Sequence, residues 1–392
     1  MQAIQRTWLS LILSSAPCVF LQAQDAEPTT TANLSADATP LASDPETSRK
    51  PLPVEVSGYF SLRQMRGEDS SRTGFLEYAG SLFLSRTYKR WNIHSELNVE
   101  HSPDFDGDGI LFGPKNVGAH LHTAWINYAY RDWLNARGGV LHVPTYWRTH
   151  RYQSTTLTVE EPLIDLRVFP SAIIGGMIHG SSYFGESGLT YSLYSGGGLL
   201  GGRGFDNHSS LPNEESSAPE GVMTPESSIP ELKNSRAVGG TFAYHFPSHQ
   251  FFQHLDFGVH RLQINYAEGI RQSINGFDLE VEKKRLSFLG EYAHASVIAA
   301  EASQRLFREG YYLQPSWRIR PKLFGVYRFD SFSEGNQSDS PSRVKRQTAG
   351  LTFRPVPTVS LKLEYVRHRF NNLDTEAHNG VSFGAVYYFL FR

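Results

Sequence analysis

The chain predicts an all-β fold: a transmembrane antiparallel β-barrel of about sixteen strands, with short turns on one side and long outer loops on the other. Three observations predict it. Apolar and polar residues alternate with a period of two in segment after segment, which is the period of a strand. The connections alternate between short and long, as the hairpins of a membrane barrel do. Aromatic residues make up 13 % of the chain, enough for two interfacial girdles, while no run of about 18 apolar residues offers a spanning helix. A mean hydropathy of −0.37 agrees, because only alternate residues of such a strand meet lipid.

The elements follow in order. Residues 1–23 read as a signal peptide: Arg6 closes a short charged start, Trp8–Leu21 is apolar, and Ala23 offers a cleavage point. Cys18, the one cysteine, lies inside it, so the mature chain has no thiol. Pro17 argues against reading Cys18 as a lipidation site. Residues 24–53, rich in Thr, Ala, Ser, Pro and Asp, bury too little apolar surface to offset the entropy of ordering and read as a disordered periplasmic lead-in. Residues 54–392 form one barrel domain.

Strands are expected at Val56–Arg66, Leu76–Arg86 and Trp91–Glu100. In the last, Trp91, Ile93, Leu97 and Val99 share one face, with His94, Glu96 and Asn98 on the other. A sandwich strand alternates too, but its charged face meets outside water, whereas in a wide barrel that face lines the lumen. Ala124, Ile126, Tyr128 and Tyr130 mark the next strand; Leu134, Ala136 and Val140 oppose Asn135 and Arg137 in the one after. Leu189–Tyr194, Val238–Phe246, Leu255–His260, Phe277–Glu282, Leu286–Tyr292, Tyr311–Trp317, Leu323–Asp330, Gln347–Arg354 and Val359–Tyr365 continue the series. The final strand alternates Val381, Phe383, Ala385, Tyr387, Phe389 and Phe391 with Ser382, Gly384 and Val386.

Short turns are expected near Tyr88–Arg90, Arg131–Trp133, Gly185–Ser187, Pro247–His249, Lys283–Lys284, Ile319–Pro321 and Pro355–Pro357. Between them fall long connections: His101–Gly118, Pro144–Ala172, Gly196–Ser235, Ala293–Arg305 and Ser331–Val344. Short and long strictly alternate in this reading. An even strand number then leaves both ends of the barrel domain on the short-turn side.

The closing Tyr387-x-Phe389-x-Phe391 resembles the terminal strand of bacterial outer-membrane barrels, which implies recognition by the outer-membrane assembly machinery; Arg392 follows where such chains usually end. Further text resembles the phosphate-selective porin O and P family. It comprises Arg137-Gly138-Gly139 running into Val143-Pro144, then Val159-Glu160-Glu161-Pro162-Leu163, Phe169-Pro170 and Leu193-Tyr194-Ser195-Gly196. Gly276-Phe277-Asp278-Leu279, Gly290-Glu291-Tyr292 and Gly310–Pro315 add to it. The resemblance implies a sixteen-stranded porin in the bacterial outer membrane, a homotrimer, and a third loop folded inward. Phosphate selectivity does not transfer. The expected lumen faces mix Arg63, Arg137, Arg318, Arg328 and Lys362 with Glu77, Glu96, Glu100, Asp256, Asp278, Glu280, Glu291 and Glu364, and no arginine ladder appears.

The expected constriction residues are Arg137 on the fifth strand and Arg148, Arg151, Glu160, Glu161, Asp165 and Arg167 on the third loop, where His150 adds a further basic group. Facing rows of opposite charge would set a transverse field across the pore. The other reading leaves the loop outside with its charges solvated. Asp104, Asp106 and Asp108 precede Gly109 in the spacing that begins a calcium loop, but Lys115 stands where the bidentate Glu belongs. Weakly bound Ca²⁺ among lipopolysaccharide phosphates and simple turn formation both fit; no other cofactor is expected. His120 and His122 could chelate Zn²⁺ or Cu²⁺ or stand as interfacial histidines.

Lys plus Arg is 37 against 39 for Asp plus Glu, and no basic stripe supports nucleic-acid binding. No Gly-x-Ser-x-Gly nucleophile turn occurs, and Gly196–Gly204 lacks the ending of a phosphate-binding loop. The expected function is passive diffusion of small hydrophilic solutes or ions, without enzymatic chemistry, among lipid and lipopolysaccharide. A non-conducting structural or adhesion barrel is the alternative, and a hydrolase acting at the rim is a third class.

Overall fold

The computed structural model describes residues 54–67, 75–101, 117–145, 155–170, 172–200, 235–266, 269–298, 305–336, 341–371 and 378–391. Signal-peptide and lead-in residues 1–53 fall outside them, as do Asp104, Asp106, Asp108, Arg148 and Arg151.

Sixteen strands close into one antiparallel barrel. They are β1 (Glu55–Gly67), β2 (Phe75–Tyr88), β3 (Trp91–His101), β4 (Val117–Arg131), β5 (Leu134–His142), β6 (Ala172–Phe184), β7 (Ser187–Leu200) and β8 (Arg236–Phe246). The second half is β9 (His254–Asn265), β10 (Arg271–Lys283), β11 (Leu286–Ile298), β12 (Arg305–Arg320), β13 (Leu323–Asn336), β14 (Ser342–Val356), β15 (Val359–Phe370) and β16 (His378–Phe391). Each strand pairs with its sequence neighbours, and β1 pairs with β16 from Val56–Phe391 to Gly67–Gly380. Closure leaves no open edge, which lipid would not tolerate. One short helix, α1 (Leu163–Arg167), interrupts the β5–β6 connection.

Alternation sorts the two faces as expected. Ile93, Leu97 and Val99 on β3 are exposed on the outside while His94, Glu96 and Asn98 are buried inside; Tyr387 and Phe391 project outward from β16 with Ser382 and Val386 turned in. Tyr88, Trp91, Tyr130, Trp133, Tyr183, Phe184, Phe246 and Phe251 are exposed beside the short turns and form an aromatic girdle there. Lys89 lies over Tyr88 and Arg131 over Tyr130, at 5.4 Å and 5.5 Å from the ring centroids, a position that suits cations reaching for headgroups. A barrel of this construction is a bacterial outer-membrane protein.

Two expectations need correction. Connection lengths do not alternate strictly: the β8–β9 connection, 247–253, is longer than the β9–β10 connection on the loop side, 266–270. A hairpin bridge between His249 and Phe252 takes up the extra length. The connections expected at Ala293–Arg305 and Ser331–Val344 shrink to 299–304 and 337–341, because β11 to β14 continue further toward the loop end. β6, which no apolar stripe announced, has a Gly-rich middle, Gly175-Gly176, between its outward Ile174 and Ile178.

Candidate functional site: the third loop inside the lumen

Residues 155–170 lie within the barrel and pack on inward-facing side chains of β9–β16 and β1. In a ring of sixteen, β13 stands eight strands from β5, where the loop begins, so the loop reaches the opposite wall. On β13, Arg328 and Asp330 share the inward face and have no exposed surface. Arg346 on β14 pairs in register with Asp330. Asp330 accepts from Arg328 Nε at 3.1 Å and from Arg346 Nε at 3.2 Å.

This charged cluster reads the backbone of the loop. Arg328 donates to the Glu160 carbonyl at 2.9 Å, the Glu161 carbonyl at 3.2 Å and Thr158 Oγ1 at 3.0 Å. Arg346 also donates to the Glu161 carbonyl. Asp330 Oδ1 accepts the Leu163 N–H at 3.1 Å, capping α1, which has no side-chain cap of its own. One row nearer the turns, Glu364 accepts from Val159 N at 2.6 Å and Glu160 N at 3.3 Å. Lys362 Nζ donates to Thr156 Oγ1 at 2.7 Å and the Thr158 carbonyl at 3.0 Å. Thr352 and Arg354 bind the carbonyls of Leu157 and Thr155, each at 2.6 Å. Satisfying so many main-chain groups from the wall lets an irregular segment survive in a buried place.

The side chains of the loop divide by chemistry. Glu160 pairs with Arg63 of β1 and lies 3.6 Å from Arg346 Nη1. Burial pushes its carboxyl pKa up, but Arg63, Arg346, His368 and Arg328 outweigh burial and hold it below the ordinary value. Ile164, Leu163, Val168 and Phe169 instead join an apolar cluster on the lumen side of the barrel. Leu262, Ile264, Ile274, Tyr312, Phe332 and Val344 of the wall belong to it. Gly310 on β12 makes room: a Cβ there would lie 2.7 Å from Ile164 Cγ2 and 2.8 Å from the Ser331 carbonyl oxygen.

Of the residues expected at the constriction, Glu160, Glu161, Asp165 and Arg167 are all on this inward segment. Glu161 contributes its carbonyl, and Arg167 offers its own to Arg308 Nη1 at 3.2 Å. Asp165 is buried, 3.5 Å from Thr145 Oγ1. Arg137 lies apart on β5, its guanidinium 4.0 Å from the Trp125 ring centroid. Arg328 and Lys362, expected to line open water, bind the loop instead, and Asp330, Arg346 and Thr352 were not foreseen as partners. A signal for them exists: Arg328/Asp330 and Lys362/Glu364 place opposite charges two apart on one strand face, the spacing of charges that bury together.

Carboxylates gather on β9–β11 toward the turn end. Asp256 on β9 accepts from His245 Nδ1 at 2.7 Å and His254 Nε2 at 3.1 Å. Asp278, Glu280 and Glu282 on β10 follow on the same face, with Glu291 on β11 paired to Asp278.

A closed sixteen-strand barrel with a lipid-facing exterior and an inward third loop has the porin fold. The anion-selective porin from Comamonas acidovorans superposes with a TM-score of 0.57 at 12 % identity, covering 86 % of this chain and 99 % of that one. OmpF of Salmonella typhi, solved in complex with daunomycin, gives 0.54 at 12 % identity over 86 % and 97 %. OmpT of Vibrio cholerae, an outer-membrane protein, gives 0.54 at 8 % identity over 87 % and 99 %. These identities establish likeness of fold alone. An Aquifex aeolicus (strain VF5) protein described as uncharacterized is 22 % identical over 371 residues, or 81 % of this chain and 76 % of that protein. No family model matches the chain.

Proposed function

We propose that the protein is an outer-membrane porin through which small hydrophilic solutes or ions diffuse passively, with the third loop setting the constriction. The observation that carries this reading is the loop itself. Its backbone is held against one wall by Arg328, Asp330, Arg346, Lys362 and Glu364, leaving the Arg137 side and the partly exposed Asp256, Glu280 and Glu282 of β9 and β10 to line the path. Lumen electrostatics and width then decide passage, with no bond made or broken. Small polar solutes are the cargo, and lipid and lipopolysaccharide are the surroundings. We also read the chain as a distant relative of the phosphate-selective porins O and P on the motifs quoted above, without their selectivity.

A homotrimer fits this reading; Vibrio cholerae OmpT, with the same fold, was solved in a trimer form. Binding of Ca²⁺ by Asp104, Asp106 and Asp108 remains a proposal on spacing alone.

One observation favours a second reading, a non-conducting barrel: the apolar cluster around fully buried Ile164, Ile264 and Ile274 fills lumen space that water would otherwise occupy. Purified protein in a planar bilayer separates the two. Discrete conductance steps support the porin; silence across many insertions supports the closed barrel.

A further inference from the structure

Three side chains from three neighbouring strands converge on the lumen wall where the third loop leaves the barrel. They stand apart in sequence and strand from Arg328, Asp330, Arg346, Lys362 and Glu364, which clasp residues 155–170. Glu96 comes from β3, His122 from β4 and His142 from the last position of β5. One ligand-type atom from each lies within 4.8 Å of the other two. Glu96 Oε2 is 3.7 Å from His142 Nε2, and the two imidazole rings meet edge to face with centroids 4.4 Å apart.

The backbone departs from regular pairing to bring them together. Glu96 pairs with Thr123 and Leu97 with Leu121, so β4 carries His122 as an extra residue. In unbroken alternation His122 would share the lipid side with Ala124 and Ile126. The bulge turns it to the side of Glu96 and Thr123, and re-aiming a side chain is what bulges do in barrel walls. The carboxylate supplies an independent sign. Glu96 is only 2 % exposed, and its Oε2 has no donor within hydrogen-bond distance; His142 stands 3.7 Å away, within ion-pair range but too far for a hydrogen bond. A buried carboxylate oxygen in that state calls for a cation.

We propose that Glu96, His122 and His142 form a binding site for a divalent transition-metal ion, with Zn²⁺ as the reference ligand. Two imidazoles and one carboxylate suit Zn²⁺ and its first-row neighbours, and they disfavour Ca²⁺ and Mg²⁺, which take oxygen. Metal–ligand bonds of about 2.0–2.2 Å set tetrahedral ligands roughly 3.4 Å apart, so the three close inward by about an ångström through side-chain rotation. Three protein ligands leave a further position to water or a solute. A bound ion would tie β3, β4 and β5 together at the root of the loop. The other His/carboxylate group among the described residues, His254, Asp256 and Glu280, is a weaker candidate because Asp256 is already engaged by His245 and His254.

The test adds Zn²⁺ alone to the metal-stripped full chain, folded in detergent, and follows binding by calorimetry. One ion per chain is expected, weakened about tenfold or more in Glu96→Gln, His122→Ala and His142→Ala and unchanged in His254→Ala. Absence of saturable binding overturns the proposal, as does binding that survives the first three substitutions or depends on His254. Heat-modifiable gel migration confirms that each variant has folded. Should a variant not fold, zinc-edge X-ray absorption on the unsubstituted chain decides: scattering from two imidazoles supports the site, and an all-oxygen shell overturns it.

Discussion

Arg328 donates hydrogen bonds to Asp330, Thr158 and the carbonyls of Glu160 and Glu161, and its position explains why the loop is held where it is. It has no exposed surface. Removing one partner of a buried, hydrogen-bonded charge cluster costs about 3–5 kcal/mol; here the Glu160 carbonyl would lose its donor, and Asp330 and the Glu161 carbonyl would be left to Arg346. Arg328→Ala is therefore expected to release the loop from the wall, seen as faster proteolysis within 155–170 and noisier conductance while the barrel remains folded. Unchanged proteolysis would show the clasp to be redundant. Glu160 carries a pH consequence. Its pKa in the docked loop lies below the ordinary 4.5, so its contribution is fully present above that value and is lost as pH falls through the lowered one. The part of loop docking that Glu160 supplies is expected to weaken only under acid. Glu160→Gln, which lacks the charge from the start, should flatten that acid limb in a proteolysis-against-pH series.

At the scale of elements, the strands were legible and the interior was not, for a physical reason. The lipid face of a barrel strand needs only apolar character at every second position, so Trp91 to Val99 or Val381 to Phe391 can be read one strand at a time. The inner face depends on what stands across the lumen. Leu262, Ile264 and Ile274 are apolar because they belong to the buried cluster that Ile164, Val168 and Phe169 of the loop join, and nothing local to β9 or β10 says so. The same dependence hid Asp330 and Arg346, whose partners lie some 170 and 185 residues away in sequence, and it hid the bulge at His122, which is a property of two strands. Glycine is the one inner-wall signal that combines both scales. Gly310, part of the motif preceding Pro315, sits where Ile164 Cγ2 and the Ser331 carbonyl leave no space for a Cβ. Gly310→Val is expected to leave the lipid face of β12 untouched and to displace α1. The readout is a heat-modifiable barrel that has lost protection of residues 163–168 from hydrogen exchange; protection equal to the parent's would mean that the wall yields instead.

For the whole molecule, the clasped loop divides the lumen charge unevenly. Arg328, Arg346 and Lys362 are engaged with the loop or with Asp330, and Arg63 with Glu160. On β9 and β10, by contrast, Asp256, Asp278, Glu280 and Glu282 face inward near the turn end, where His245 and His254 lie against Asp256 and His254 Nε2 is 3.9 Å from Glu280. Charges inside a low-dielectric wall focus field along the pore, so a single lumen carboxylate acts on every passing ion. Glu280 tests this best: it is partly exposed, and the loop-clasping network on β13–β15 does not include it. Under a salt gradient across a planar bilayer, Glu280→Gln is expected to shift the reversal potential toward anion preference, and Glu280→Lys further in the same direction, with single-channel conductance changed less than the potential. The shift should shrink at high salt, as screening shortens the reach of the field to a few ångströms at about 1 M. A reversal potential indifferent to both substitutions would move the selectivity-determining charge away from the β9–β10 wall and onto the loop.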